Sequence, residues 1–199
     1  MSDIQINDFQ KQINFILEMD KSKNIFRQTY LSDASRFEND AEHAWHLGIM
    51  AMVLGPSFGE LDLLKCMKMV LVHDLVEIDA GDTYCYDKKA GEDKAQREQA
   101  AADRIFAILP KAQGEEIRAL WEEFEAQKTK EAVFCACLDR IQPLLLQRAS
   151  GGKSWKENGI SASQVYARCH LVMEQKNQLS ELVTEIIEDA RQKGLLKDE

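Results

Sequence analysis

The chain has 199 residues and a formal net charge of −9, long enough for one domain with a sizeable core that needs neither disulfides nor a structural metal. The negative field repels nucleic acid and anionic membrane, so neither is an expected partner, and a phosphate-bearing ligand has to be held by local cations or a bound metal. Five cysteines without C-x-x-C spacing, a start with no basic and apolar leader pattern, and no apolar run near the ~18 residues of a spanning helix point to a cytoplasmic protein with reduced thiols.

In chain order, Phe9, Ile13, Ile16 and Leu17 recur at helical spacing and predict one apolar stripe of a first helix ending near Lys21. The stretch KNIFRQTYLSDASRFEND has no period and reads as a loop that carries Arg27 and Arg36. Asn39 and Glu42 have the spacing of a capping box. They open a helix that carries His43, Leu47, Met50 and Ala51 and stops at GPSFG. Residues 61–75 read as a strongly apolar helix, buried on most sides. A polar loop runs from Gly81 to Gly91, and helices follow over 92–109, stopped by Pro110, over 113–124, and over 129–148, stopped by SGG. A second capping box, Ser161 with Gln164, opens a helical stretch over 161–193 with a break near Asn177. No strand-length run alternates, and no repeat or linker divides the chain. The expected fold is all-α, a single helical bundle over residues 1–199.

The chemistry gathers around few residues. There are four histidines, and a His-Asp dipeptide is expected by chance about 0.3 times in such a composition, so context has to decide its meaning. His73 and Asp74 end a buried helix, where an unpaired carboxylate is costly and calls for a cation. His43 starts a second helix and Asp139 interrupts the apolar run FCACLDRIQPLLL of a third, so three core helices can converge ligands on one ion. Two imidazoles and two carboxylates suit a divalent transition metal such as manganese, cobalt, iron or zinc. Glu77 lies four residues after His73, within reach of a water beside that ion, and Asp82 follows Gly81, whose freedom at positive φ lets the chain turn back so that Asp82 either protonates the leaving alkoxide or binds a sugar hydroxyl. The competing reading pairs Asp74 and Asp139 with Arg140 or Arg104 and leaves Glu77, Asp79 and Asp82 as a solvated acidic loop, which is the preferred reading for Asp79. His46 is expected to pack or to bond behind a ligand, and His170 to be structural.

These residues carry a resemblance. AEHAWHL, LVHDLVEIDAGD and CLDRIQPLLL resemble the ordered H, HD and D motifs of the HD-domain phosphohydrolase superfamily, across roughly residues 10–150. Within them, HDLVEIDAGD is similar to the HD-x-x-E-x-x-x-GD segment of the HDDC-type 5'-deoxynucleotidase branch. The resemblance implies an α-helical domain with one divalent ion on His43, His73, Asp74 and Asp139. It implies that Glu77 orients or activates water, that Asp82 lies beside the substrate, and that Arg27 contacts phosphate; read from the residues alone, Arg36 is the alternative phosphate cation and Lys88 and Lys89 are weaker ones. The branch often has a tryptophan close behind that arginine, where this chain has Tyr30 three positions on. The expected activity is removal of the 5'-phosphate of (deoxy)nucleoside monophosphates by attack of a metal-activated water. The alternatives are hydrolysis of another small phosphate ester or signalling nucleotide, or a non-catalytic nucleotide-binding module. A small-molecule nucleotide is the expected partner. The amphipathic stretch after Gly151 either covers the bundle or forms the subunit interface of a homodimer.

Overall fold

The computed structural model describes residues 7–87 and 89–197. Helix α1 (Asp8–Met19) starts at Asn7, whose side chain accepts from the Gln10 amide. Its buried residue is Phe15, while Phe9, Ile16 and Leu17 are exposed. The predicted stripe is therefore turned outward. The helix has apolar residues on two faces, and the one that docks, through Phe15 and Met19, meets a side cluster of Val76, Ile105, Phe106 and Trp121.

The stretch read as a loop contains a two-stranded antiparallel ribbon, β1 (Phe26–Tyr30) and β2 (Phe37–Asn39), with Phe26 opposite Asn39 and Tyr30 opposite Phe37. Strands of five and three residues are too short to show an alternation. Their pairing is set across the ribbon instead, where the Tyr30 and Phe37 rings lie 4.3 Å apart.

The centre is α2 (Asp40–Leu54), α3 (Leu63–Val72) and α7 (Lys130–Ala149). Helix α7 buries Ala132, Phe134, Ala136, Leu138, Ile141 and Leu144. Helix α3 buries Cys66, Met69 and Val70 but leaves Leu64 and Leu71 exposed, so it is less enclosed than its composition suggests. After α3 come the short α4 (Glu77–Ala80), then α5 (Lys94–Ile105) and α6 (Lys111–Ala126). Cys66, Cys135, Cys137 and Cys169 are buried free thiols that act as packing residues, and Cys85 is an exposed free thiol.

The segment after Gly151 covers the bundle. It forms α8 (Lys153–Asn158), α9 (Ala162–Arg168), α10 (His170–Glu174) and α11 (Gln178–Gln192). Helix α11 lays Val183, Ile186, Ile187 and Ala190 inward, and Asn177 caps it at the predicted break. Helix α8, with buried Trp155, lies just beyond the SGG at which the sequence shows only a stop. Among the described residues no helix is long and apolar enough to cross a membrane.

Candidate metal and phosphate site

Local structure places each candidate ligand. Asn39 accepts from the Glu42 amide at 3.0 Å and Glu42 returns the bond to the Asn39 amide at 3.1 Å, which fixes the first turn of α2 and the direction of His43. Helix α3 ends at His73, and the chain then tightens, with Leu75 donating to the Val72 carbonyl and Glu77 to the Asp74 carbonyl. These three-residue bonds bring Glu77 beside Asp74 without a continuous helix. Gly81, at φ 74°, turns the chain so that Asp82 returns to the site. Asp139 sits in mid-helix, and Pro143 four residues on has no N–H for its carbonyl.

The four predicted ligands converge. His43 Nε2 lies 3.2 Å from Asp139 Oδ1 and 3.9 Å from Asp74 Oδ2. His73 Nε2 lies 3.1 Å from Asp74 Oδ2 and 3.8 Å from Asp139 Oδ1. Each ring is oriented from behind: His43 Nδ1 donates to Gln142 Oε1 at 3.0 Å and His73 Nδ1 donates to the Val70 carbonyl at 2.9 Å. With Nδ1 of each ring engaged from behind, both Nε2 atoms face carboxylate oxygens, and His73 Nε2 is buried without a hydrogen-bond partner. A proton on Nε2 or a bound cation can lie between each ring and these oxygens. Bonds of about 2.0–2.2 Å to nitrogen and oxygen would draw on these same atoms, so the residues fit a divalent ion.

Charge is arranged around the same point. Burial alone would lower the His73 pKa, but the carboxylates of Asp74 and Asp139 outweigh it and raise it to about 10. Burial works against Asp74 and Asp139 too, yet His73 and Arg27 hold Asp74 low, and His43, His73 and Arg168 hold Asp139 low. Glu77 moves the other way, pushed up by burial and then by Asp74 and Asp40, and Asp40 rises to about 8 chiefly by burial, then by Asp74. Oxygens of Asp40, Asp74 and Glu77 lie within 4.8 Å of one another. Both Asp40 oxygens and Glu77 Oε2 are buried without hydrogen-bond partners. This second, oxygen-only set suits a hard cation and shares Asp74 with the first.

Arg27 reaches the centre from β1. Its Nη1 lies 2.8 Å from Asp74 Oδ2 and 4.0 Å from Asp82 Oδ1, and its Nη2 lies 3.8 Å from Asp139 Oδ1. Arg36 is instead engaged by both oxygens of Glu42, at 2.8 and 2.5 Å. Lys89 is exposed, and Lys88 lies outside the described residues. The arginine partners weighed for Asp74 and Asp139 are elsewhere: Arg104 pairs with Asp79 and Glu18, and Arg140 donates to the Ala136 carbonyl and to Gln127. Asp79 is thus a surface acid with an ion pair. His46 Nδ1 accepts from Gln142 Nε2 at 3.1 Å, behind the candidate ligand His43. His170 is exposed beside Glu174 and packs in no core.

Four site residues escape the sequence reading: Glu38, Asp40, Gln142 and Arg168. Asp40 precedes His43 by three and Gln142 follows Asp139 by three, the spacing of one helical face, which is a signal that could have found them. Glu38, which accepts from Gln142 Nε2 at 2.8 Å and faces Arg27 Nε at 3.5 Å, depends on the ribbon, and Arg168 on the packing of α9. Arg27, Asp82, Tyr84, Arg140, Trp155 and Arg168 line a cleft that opens beside the candidate ligands. The Tyr84 and Tyr86 rings stack edge to face at 5.3 Å in its wall.

Comparison with known proteins agrees with this geometry. A family model described as HD domain matches residues 19–180. The 5'-deoxynucleotidase HDDC2 of Homo sapiens is 34% identical over 113 residues, 57% of this chain and 54% of that protein. The 5'-deoxynucleotidase HDDC2 of Xenopus laevis is 31% identical over 137 residues, 69% of this chain and 65% of that protein. The matched part spans little more than half of the human relative's length and about two thirds of the Xenopus one's. A crystal structure from Magnetospirillum magnetotacticum MS-1, described as a predicted metal-dependent phosphohydrolase, is 37% identical and superposes over 100% of both chains with a TM-score of 0.90.

Proposed function

Since this chain belongs to the HD-domain family, we propose that it is a metal-dependent phosphomonoesterase that removes the 5'-phosphate of (deoxy)nucleoside monophosphates. The observation that carries the reading is the meeting of three things at one point: an imidazole and carboxylate ligand set, the Arg27 guanidinium, and the unpartnered carboxyl of Glu77. His43, His73, Asp74 and Asp139 would hold one divalent ion of the manganese, cobalt, iron or zinc type. When bound, such an ion supplies positive charge to phosphoryl oxygens and lowers the pKa of water.

The protein's own groups divide the remaining work. Arg27 offers a planar fork of donors to the phosphate. Glu77, whose raised pKa reflects burial and the neighbouring carboxylates, accepts the proton of the attacking water. Asp82 faces the part of the substrate beyond the phosphate, beside a narrow cleft with Tyr84 and Tyr86 in its wall. The nucleotidase names of the curated relatives support this substrate class.

The reading extends to compartment and assembly. The five free cysteines support a reducing, cytoplasmic setting. A homodimer is supported by the later turns of α2, which are apolar on both sides: Leu47, Met50 and Ala51 pack in the core while Trp45, Ile49, Met52 and Val53 form an exposed stripe on the other face. A helix of that kind calls for cover on both sides, and we assign a second copy of this chain to the outer face.

The test is metal analysis of the purified protein, followed by phosphate release from ribo- and deoxyribonucleoside monophosphates with added manganese or cobalt. Metal-dependent release from the nucleotides is expected. Tight nucleotide binding without turnover on any substrate would replace the enzyme with a binding module, and faster release from non-nucleotide esters would reassign the substrate. Two ions per chain would place the second on Asp40, Asp74 and Glu77.

A further inference from the structure

Asp139 divides its two oxygens between two kinds of partner. Oδ1 faces the imidazoles, 3.2 Å from His43 Nε2 and 3.8 Å from His73 Nε2. Oδ2 accepts from Arg168 Nη2 at 3.0 Å. A carboxylate turns readily about its last torsion, so a buried one keeps a single orientation only when its outer oxygen is held. Arg168 is the residue that holds it.

Arg168 comes from the segment after Gly151, outside every motif. It ends α9, which is started by the Ser161–Gln164 capping box and anchored by buried Val165 and Cys169. The neighbouring α8 docks on the ribbon: Ser154 Oγ donates to the Gln28 carbonyl at 2.6 Å, and Lys153 Nζ sits 3.9 Å from the centre of the Tyr30 ring. Gln28 follows Arg27 directly. The same segment therefore braces the strand that carries one arginine and supplies the other, and the two guanidinium groups flank Asp139. Both line the cleft, and a third of the Arg168 side chain stays open to it.

We infer that Arg168 is a positioning residue of the metal centre: it holds Asp139 Oδ2 so that Oδ1 stays turned to His43 and His73. The C-terminal helices are then a working part of the site and not only a cover for the bundle. The inference rests on the metal-dependent reading above, but its test needs no turnover.

Manganese affinity is measured by competition with a chelator for Arg168→Gln, Arg168→Lys and, as a control on the same segment, Arg191→Gln, whose partner Glu188 lies at the surface. Thermal unfolding of each metal-free variant establishes that it is folded. Arg168→Gln is expected to bind manganese ten- to a hundredfold more weakly. Arg168→Lys keeps the charge without the fork and is expected to fall between Gln and the wild type. Arg191→Gln is expected to match the wild type. Wild-type affinity in a folded Arg168→Gln protein overturns the inference, and if that variant does not fold, wild-type affinity in Arg168→Lys does so. Weakened manganese binding in these variants, alongside a wild-type protein that releases no phosphate from any nucleotide, would count against the nucleotidase and leave the Arg168 assignment standing.

Discussion

Glu77 and Gln142 show how much of the site depends on single side chains. Glu77 Oε2 is buried with no partner, an arrangement that is costly unless the carboxyl has work to do. Glu77→Gln keeps the size and removes the base. Turnover is expected to fall by ~10²-fold or more while the histidine-bound ion is retained, as steady-state kinetics and metal analysis would read. A near-normal kcat would move water activation away from this residue. Gln142 is fully buried between His43 Nδ1, Glu38 and His46. Gln142→Leu removes the acceptor that fixes the His43 tautomer and strands Glu38, so manganese affinity is expected to drop by about tenfold or more in a chelator competition.

At the scale of elements, α2 begins in a capping box and carries the candidate ligand His43 on its first turn. Asn39→Ala removes the side-chain acceptor for the Glu42 amide, a loss of about 1 kcal/mol. In a chain of this length that corresponds to a fall of roughly 2–4 °C in Tm. A melt of the metal-free protein checks it, and an unchanged Tm would mean that packing alone fixes the helix start. The outward stripe of the same helix is tested by Ile49→Lys, which places a charge in the assigned subunit contact. Light scattering is expected to show the wild type as a dimer and the variant shifted toward monomer. A monomeric wild type would refute the assignment.

Over the whole molecule, the buried charges tie stability to pH. The folded pKa of His73, about 10, lies above its ordinary 6.5, so its contribution is full below about 6.5 and is lost as pH rises through about 10. Asp40, raised from 3.8 to about 8, adds a loss in the same direction at lower pH. Asp74 and Asp139 are depressed, and their contribution is present above 3.8 and lost in acid. The chelator-treated protein is therefore expected to lose Tm as pH rises above about 6.5. A divalent ion needs the same groups deprotonated, so the gain in Tm from added metal is expected to grow over that window. Melts with chelator and with manganese across this range test it, and a metal-free Tm that rises with pH would contradict the charge assignment.

The sequence by itself determined the helical plan. Both capping boxes, the stop before Pro110 and the break at Asn177 lie where the residues put them, because caps and breakers act within one turn of chain. Order and spacing along the chain also pointed to His43, His73, Asp74, Asp139 and Glu77 as candidates, and the fold brings them together. Tertiary structure decided what depends on partners far away in sequence. The phase of α1 follows the cluster it docks on, the ribbon exists because two short strands meet, and Glu38 is a site residue only through that ribbon. The resemblance alone favours Arg27 over Arg36, and it is the packing of β1 against α7 and α8 that puts Arg27 among the acids, while Arg36 pairs with Glu42. Arg168 lies 29 residues beyond the carboxylate it holds, and no local pattern in the chain marks a pairing made only when α9 packs beside α7.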